Sequence, residues 1–113
     1  LMLSEGVNKN RISVSQLVNL TSMNAAKIFG MYPAKGSLEV NSDADITLVD
    51  LKKEQKVTTE LFGGFSDYIV YDGWKLKGWP VKTIIRGQTV SEDFQVVGKS
   101  GYGKLVSRKT NST

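Results

Sequence analysis

"VNSDADITLVDL", residues 40–51, decides the fold, because a polar turn leads directly into an apolar run. In a strand, side chains two residues apart share a face, so Ile46 and Leu48 would lie on one side. Val49 and Leu51 would lie on the other side. The segment "DITLVDL" within this stretch therefore predicts a β-strand that is covered on both faces.

Two aspartates precede this strand and raise the question of a catalytic pair or a metal site. Counted from Asn41, Asp43 and Asp45 give the N-x-D-x-D pattern that opens a calcium loop. Such a loop needs Gly at its sixth position and Glu at its twelfth, where this chain has Ile46 and Lys52. The calcium interpretation therefore fails. We interpret both aspartates as structural residues whose side chains bond local backbone amides in a turn.

The composition limits the chemistry that the chain can perform. Of its 113 residues, 40% are hydrophobic and 23% charged, as in an ordinary soluble domain. It contains no cysteine and no histidine, which removes disulfides, thiolate and imidazole ligands and every histidine-based nucleophile pair. The net charge of +4 is a mild excess that favours acidic partners or simply solubility. Without a long apolar run or a signal-like start, we expect a cytoplasmic protein with no membrane contact.

Helical patterning dominates the first thirty residues. Ser13 can cap a first helix, and Asn24 can cap a second short helix, with "LTSMN" as the link between them. Gly30 has the place of the residue that ends a helix, and Pro33 prevents continuation. The apolar positions of the two helices are Val14, Leu17, Val18, Ala25, Ala26, Ile28 and Phe29.

After Pro33 the pattern becomes that of β-structure. "DYIVY", residues 67–71, is aromatic and β-branched, as strands are. Residues 80–98 predict a hairpin with Gly87 in the turn and Val96-Val97 closing the second arm, and Pro80 would start its first strand. The Gly-, Ser- and Lys-rich end predicts a tail that extends or frays.

Two further stretches could bind ligands. "GWKLKGWP", residues 73–80, interleaves Trp74, Lys75, Lys77 and Trp79 as single-strand nucleic-acid platforms do. The alternative is that the tryptophans cover a sheet edge while the lysines face water. "GKSGYG" followed by Lys104 is rich in glycine, but a phosphate loop would have to lead into a helix, which "KLVSRKTNST" does not favour. A flexible tail or contact arm is the alternative there.

Three separated stretches together resemble the cyclic amidohydrolases. "LSEGVNKNRISVSQLVNLTSMNAAKIFGMYPAKGSLEVNSDADITLVD", residues 3–50, resembles the region after the last barrel strand of that family. "SDYIVYDGWKLKGWPVKTIIRGQTV" and "VVGKSGYGKLVSRK" resemble the hydantoinase/dihydropyrimidinase branch more narrowly. The resemblance covers residues 3–109 in the order and spacing of the family.

This resemblance implies a C-terminal fragment of a metal-dependent TIM-barrel hydrolase that opens cyclic amides. It implies zinc in the full-length parent, and it places the metal ligands and main substrate-binding residues upstream of Leu1. No catalytic, cofactor-binding or metal-binding residue is therefore expected in this chain. Alone, the chain is expected to be inactive and structural.

The resemblance also divides the chain and defines its fold class, mainly β with N-terminal helices. Residues 1–33 would be the closing helices of the barrel, 34–98 the C-terminal share of a small β-sandwich and 99–113 a basic tail. The family usually has Gly where this chain has Asn41. Asn is the non-glycine residue that best tolerates a positive φ, so we predict that conformation at Asn41.

The expected partners are the rest of the parent chain and further copies of this chain. Self-association would use bare sheet edges, the apolar helix face or the tail. Two alternatives remain open: a free-standing basic β-module that binds nucleic acid through Trp74, Lys75, Lys77 and Trp79, and a non-catalytic scaffold with the shape of an amidohydrolase.

Overall fold

The computed structural model describes residues 1–109, and it consists of a helical N-terminal part followed by an antiparallel sheet. The helical elements are a π-helical turn Met2–Val7, α1 (Val14–Val18), a second π-helical turn Asn19–Met23, α2 (Asn24–Ile28) and a 3-10 turn Thr59–Phe62. The strands are β1 (Ile46–Lys56), β2 (Lys75–Ile85), β3 (Gln88–Glu92) and β4 (Gln95–Val96). The prediction of a mainly β fold with N-terminal helices is confirmed. None of the helices within residues 1–109 has the length and apolar character that a bilayer crossing demands.

Residues 14–28 form one continuous helical rod. Ser13 caps it as predicted, because its hydroxyl accepts the backbone N–H of Gln16 while the Gln16 side chain accepts the N–H of Ser13. The expected link at "LTSMN" is wrong: Asn24 has helical φ and ψ and donates its N–H to the carbonyl of Asn19, five residues back. Thr21 donates its hydroxyl to the carbonyl of Leu17, so a residue that favours caps is accommodated inside the rod.

The rod ends as the sequence predicts. Gly30 has a φ of +71°, which suits glycine after the last helical turn. The N–H of Met31 then donates to the carbonyl of Ala26 and closes the helix end. Asn41, in the turn before β1, has a φ of +74°, so that prediction is confirmed as well.

The four strands form a meander in the order β1-β2-β3-β4, and every neighbouring pair is antiparallel. Gly87 lies in the β2–β3 turn as predicted, and both turn residues, Arg86 and Gly87, have positive φ, as a type I′ turn requires. A second two-residue turn, Asp93-Phe94, leads into β4, and both of its residues also have positive φ. Val96 therefore belongs to a separate short strand beside β3, and the predicted single hairpin over residues 80–98 is wrong in its second arm.

Two other expectations about strands are wrong. Pro80 lies inside β2, opposite Val49 at an irregularity in the ladder, where its missing N–H is tolerated. Residues 67–71, "DYIVY", form turns rather than a strand, with the N–H of Asp72 donated to the carbonyl of Ile69. Of that apolar run, Ile69 packs against the core while the rest is largely exposed, so local β propensity has no sheet to join.

The core of the sheet lies at one end. Val57, Leu76 and Trp79 are buried, and Leu61, Ile69 and Phe94 pack against them. β1 is not covered on both faces as predicted, because Leu48 and Val49 are 46% and 42% exposed. Within the described residues, the first half of β1 therefore lies in a single-layered part of the sheet, with side chains on both faces exposed.

The first π-helical turn fills a break in the β1–β2 ladder. The register shifts between Asp50 and Glu54, so three residues of β1 lie opposite Gly78 alone. The side-chain amide of Asn8 donates to the carbonyl of Leu51 at 3.0 Å and to that of Lys77 at 2.5 Å. The hydroxyl of Ser4, itself buried, accepts the N–H of Lys77 at 3.0 Å. The N-terminal segment thus replaces ladder bonds that the strands cannot make.

The tail returns to the body of the chain over its described part, residues 99–109. Tyr102 packs on the β2–β3 turn, and the N–H of Lys109 donates to the carbonyl of Gly30 at 2.9 Å. The prediction of a frayed end is therefore wrong at residues 102 and 109, which make contacts as a contact arm would, and the prediction for residues 110–113 lies outside the described residues.

Candidate functional site

Lys35 lies between the two aspartates that precede β1. Its Nζ is 3.0 Å from Oδ2 of Asp43 and also pairs with Oδ2 of Asp45. Oδ1 of Asp45 accepts the backbone N–H of Arg86 at 2.9 Å, 41 residues away in the hairpin turn. The expectation that the aspartate side chains bond local backbone amides is wrong for both residues, because Asp43 pairs with Lys35 and Asp45 pairs with Lys35 and with the N–H of Arg86. The carboxylate of Asp45 joins the loop before β1 to the β2–β3 turn.

The electrostatics of this Lys35 cluster (Lys35, Asp43 and Asp45) keep its groups charged. The hydrogen bond to Asp45 raises the pKa of Lys35. Burial raises the pKa of Asp45, but hydrogen bonds from Lys35 and from the Arg86 N–H outweigh it, and the net shift is downward. A general acid or base works best with a pKa near the working pH, and both shifts lead away from neutrality. The cluster is built to hold structure rather than to move protons.

The donor set of the chain does not fit the zinc that the amidohydrolase resemblance implies. The sequence has no histidine or cysteine, and the carboxylates of Asp43 and Asp45 are occupied by Lys35. Within residues 1–109, no three acidic side chains come together in a way that could hold an ion.

The structure separates the residues of the basic aromatic stretch. Trp79 is 7% exposed, and its indole N–H donates to the carbonyl of Leu76 at 2.9 Å. Trp74 is half exposed and packs edge-on against Tyr71, with ring centroids 5.3 Å apart. A stacking platform for bases needs accessible ring faces, and Trp79 does not offer one.

Two of the cations around this stretch, Lys75 and Lys82, are paired with carboxylates. Lys75 lies 3.7 Å from Glu54, and Lys82 lies 3.3 Å from Glu92. Lys77 lies on β2 with its backbone tied to the N-terminal segment. These pairs lower the positive potential that a phosphate backbone would meet, so the geometry does not support the nucleic-acid alternative.

The glycine-rich stretch before Lys104 does not lead into a helix over residues 104–109. Gly98 donates its N–H to the carbonyl of Val90, and Tyr102 is the residue that makes contacts. A phosphate loop is therefore not formed. Sequence reasoning missed both Tyr102 and Lys35, because their partners lie 10 or more residues away along the chain.

A shallow apolar depression of about 230 Å³ lies beside the 3-10 turn. No charged side chain lines it, so it offers apolar contact and no acid-base chemistry. Its lining residues are Thr59, Phe62, Gly64, Ser66, Tyr68 and Ile69.

Comparison with known families shows which family the chain belongs to. The sequence profile described as "Amidohydrolase family" matches residues 1–90 of the chain. The chain belongs to the amidohydrolase family. Among curated relatives, this amidohydrolase chain is 41% identical over 109 residues to the L-hydantoinase of Paenarthrobacter aurescens, covering 96% of the chain and 24% of the relative. It is also 41% identical over 108 residues to the D-hydantoinase of Geobacillus stearothermophilus, covering 96% of the chain and 23% of the relative.

Solved structures agree with these relatives. The amidohydrolase chain superposes on the dihydropyrimidinase of Brevibacillus agri with a TM-score of 0.91 at 39% identity, covering 96% of the chain and 24% of that protein. For the L-hydantoinase (dihydropyrimidinase) of Arthrobacter aurescens the TM-score is 0.90 at 42% identity, with coverage of 95% and 24%. The chain spans about a quarter of the length of the relatives that it matches.

Proposed function

We propose that this chain is the C-terminal part of a hydantoinase- or dihydropyrimidinase-like enzyme, and that the whole protein hydrolyses cyclic amide bonds. The observation that carries the proposal is a backbone match with a TM-score of 0.90 at 42% identity to a protein named both L-hydantoinase and dihydropyrimidinase. The C-terminal position rests on the resemblance of residues 3–50 to the region after the last barrel strand. In this arrangement residues 1–33 close the barrel, 34–98 contribute to a β-sandwich and 99–113 form the tail.

The proposed role of the chain within that enzyme is structural. Family membership implies metal use by the full-length protein, and we propose zinc as the metal. The donor set of this chain does not fit that metal, so its ligands would have to come from the rest of the protein. We propose the cytoplasm as the location of the enzyme.

The activity test compares the chain with the longer protein encoded around it. Both are purified with added zinc, dialysed, and assayed for opening of dihydrouracil and of hydantoin, with metal content measured on the same samples. We expect turnover and bound zinc in the longer protein and neither in the 113-residue chain. Turnover by the short chain would show that the site has been misplaced. A longer protein without turnover on either ring would favour the scaffold alternative.

We further propose that the chain by itself associates through the helical rod. Val14, Val18 and Phe29 are each roughly half exposed, and Ile28 is 74% exposed, which leaves apolar surface for a partner. Within the enzyme this partner would be the rest of the parent chain. For the isolated chain it would be a second copy, with the first half of the β1 edge as a further contact.

Light scattering coupled to size exclusion over a wide concentration range tests this association. We expect a dimer or larger species whose share rises with concentration, and we expect Phe29→Ser to shift it towards monomer. Phe65→Ser is the matched control, because Phe65 is fully exposed in the loop after the 3-10 turn. A monomer at every concentration, or an equal effect of both variants, would contradict association through the rod.

A further inference from the structure

Tyr102 joins the tail to the β2–β3 turn through three of its groups. Its hydroxyl donates to the carbonyl of Ile85 at 2.8 Å and lies 3.3 Å from the carbonyl oxygen of Arg86. The guanidinium carbon of Arg86 lies 4.3 Å from the centroid of the tyrosine ring. Nη2 of Arg86 also donates to the backbone carbonyl of Tyr102. One turn therefore holds the ring, the hydroxyl and the backbone of the same tail residue.

The turn that holds Tyr102 is fixed from its other side. Arg86 has a φ of +45°, a left-handed conformation that costs free energy for any residue except glycine. Its N–H is held by the carboxylate of Asp45, and the N–H of Gly87 donates to the carbonyl of Ala44 at 3.0 Å. These bonds keep the turn in its left-handed form and so direct the Arg86 side chain onto Tyr102.

A second anchor lies at the other end of the described tail. The N–H of Lys109 donates to the carbonyl of Gly30, directly after the helical rod. A Cβ atom at Gly30 would collide with the carbonyl oxygen of Lys109, so the two backbones are in close contact. Between the anchors the tail is open to solvent, and Leu105 is 98% exposed.

We propose that residues 102–109 are a strap that ties the end of the helical rod to the β2–β3 turn, with Tyr102 as its fixing point. The rod has little burial of its own, because Ala26 is its buried side chain while Ile28 and Phe29 face solvent. The C-terminal end of the rod is thus weakly restrained by side-chain packing, and the hydrogen bond from Lys109 to Gly30 adds a restraint there. Release of Tyr102 frees the strap, and the last turn of the rod opens more often.

Amide hydrogen exchange followed by NMR tests the strap on the full 113-residue chain. The reporters are the N–H of Lys109, bonded to Gly30, and the N–H of Phe29, bonded to Ala25. Tyr102→Ala removes the ring and hydroxyl contacts seven residues away from Lys109, and we expect exchange at Lys109 to become about tenfold faster. Exchange at Phe29 should speed up by a smaller factor in the same direction. Tyr68→Ala is the matched control, since Tyr68 is an exposed tyrosine in the loop before β2, and it should leave both rates unchanged.

Two gentler variants keep the test decisive if Tyr102→Ala does not fold. Tyr102→Phe keeps the ring over Arg86 and loses only the hydroxyl, and Arg86→Lys keeps the charge and loses the planar face. Each should speed exchange at Lys109 by a few-fold. The strap is overturned if Lys109 is unprotected in the unaltered chain, or if its protection does not change in any variant. Exchange is measured at a concentration where light scattering shows a monomer, because association through the rod would also protect this region.

Discussion

The sheet and the helical rod use their apolar residues in opposite ways. The sheet buries Trp79 to 7% exposure around a cluster with Val57 and Leu76, whereas the rod leaves Phe29 57% exposed. The backbones of both regions are hydrogen-bonded, so the difference lies in packing. The sheet end is stabilised within this chain, while the apolar face of the rod is available to something outside it. This contrast is what the proposed role as one part of a larger amidohydrolase requires.

The largest expected effect compares aromatic residues from the two regions. Trp79→Ala should lower the free energy of unfolding by about 3–5 kcal/mol, because it empties the core and removes the edge-on contact with Phe94. Phe29→Ala should lower it by less than about 0.5 kcal/mol, since its ring is already mostly in water. Urea unfolding followed by circular dichroism measures both. Equal losses would mean that the rod packs as firmly as the sheet.

The second comparison uses the two aspartates of the Lys35 cluster. Asp45→Ala should cost about 2 kcal/mol, because it removes a charge-assisted bond to the Arg86 N–H and a partner of Lys35. Asp43→Ala removes one exposed ion pair and should cost less than about 1 kcal/mol. The same unfolding measurement distinguishes them. A larger loss for Asp43 would contradict the view that the cluster acts mainly through the hairpin turn.

The turn that carries Asn41 gives a smaller effect with a defined sign. Asn41→Val should destabilise by about 1–2 kcal/mol, because a β-branched residue fits poorly at a φ of +74°. Asn41→Gly should be neutral or slightly stabilising. Thermal unfolding of both variants beside the unaltered chain tests this pair. Stabilisation by Val would show that the turn can adopt another conformation at no cost.

The smallest effect appears in the pH dependence. The folded-state pKa of Asp45 lies below its ordinary value of 3.8, so its contribution is present above that value and is lost as the pH falls through the lower folded-state pKa. Lys35, Asp43 and Arg86 are the charged residues around it, and none of them is altered in Asp45→Asn. We expect this variant to be about 1 kcal/mol less stable at pH 7 and to converge with the unaltered chain once the pH falls below the lowered folded-state pKa of Asp45. Urea titrations at several pH values measure the convergence, and parallel curves would exclude Asp45 as the group responsible.

The features that sequence reasoning predicted correctly are local ones. The cap at Ser13, the helix end at Gly30 and the left-handed Asn41 each depend on the chemistry of one or two residues. The first strand was predictable for the same reason, since its apolar run after a polar turn is contained in a short segment.

The wrong predictions depend on distant partners. "DYIVY" has the propensity of a strand but no neighbour to pair with, and Pro80 sits in a strand because the ladder is irregular there. In the candidate site, the sequence pattern identified Asp45 as a residue of interest. It could not indicate that Arg86, 41 residues further along the chain, is its partner. Tyr102 looked like one residue of a loose tail, because nothing local shows that the Arg86 turn will hold it.

The bonds of Asn8 and Ser4 at the break in the β1–β2 ladder, here called the plug, have a consequence for the order of folding events. Asn8 and Lys77 are 69 residues apart in sequence, and closing so long a loop is costly before other contacts exist. We therefore expect the plug to dock after the hairpin strands have paired, late on the folding route. Asn8→Ala should then leave the refolding rate nearly unchanged and raise the unfolding rate, which corresponds to a φ-value near zero in stopped-flow measurements. The N-terminal segment would thus slow the unfolding of the sheet without contributing to the nucleus from which the sheet folds.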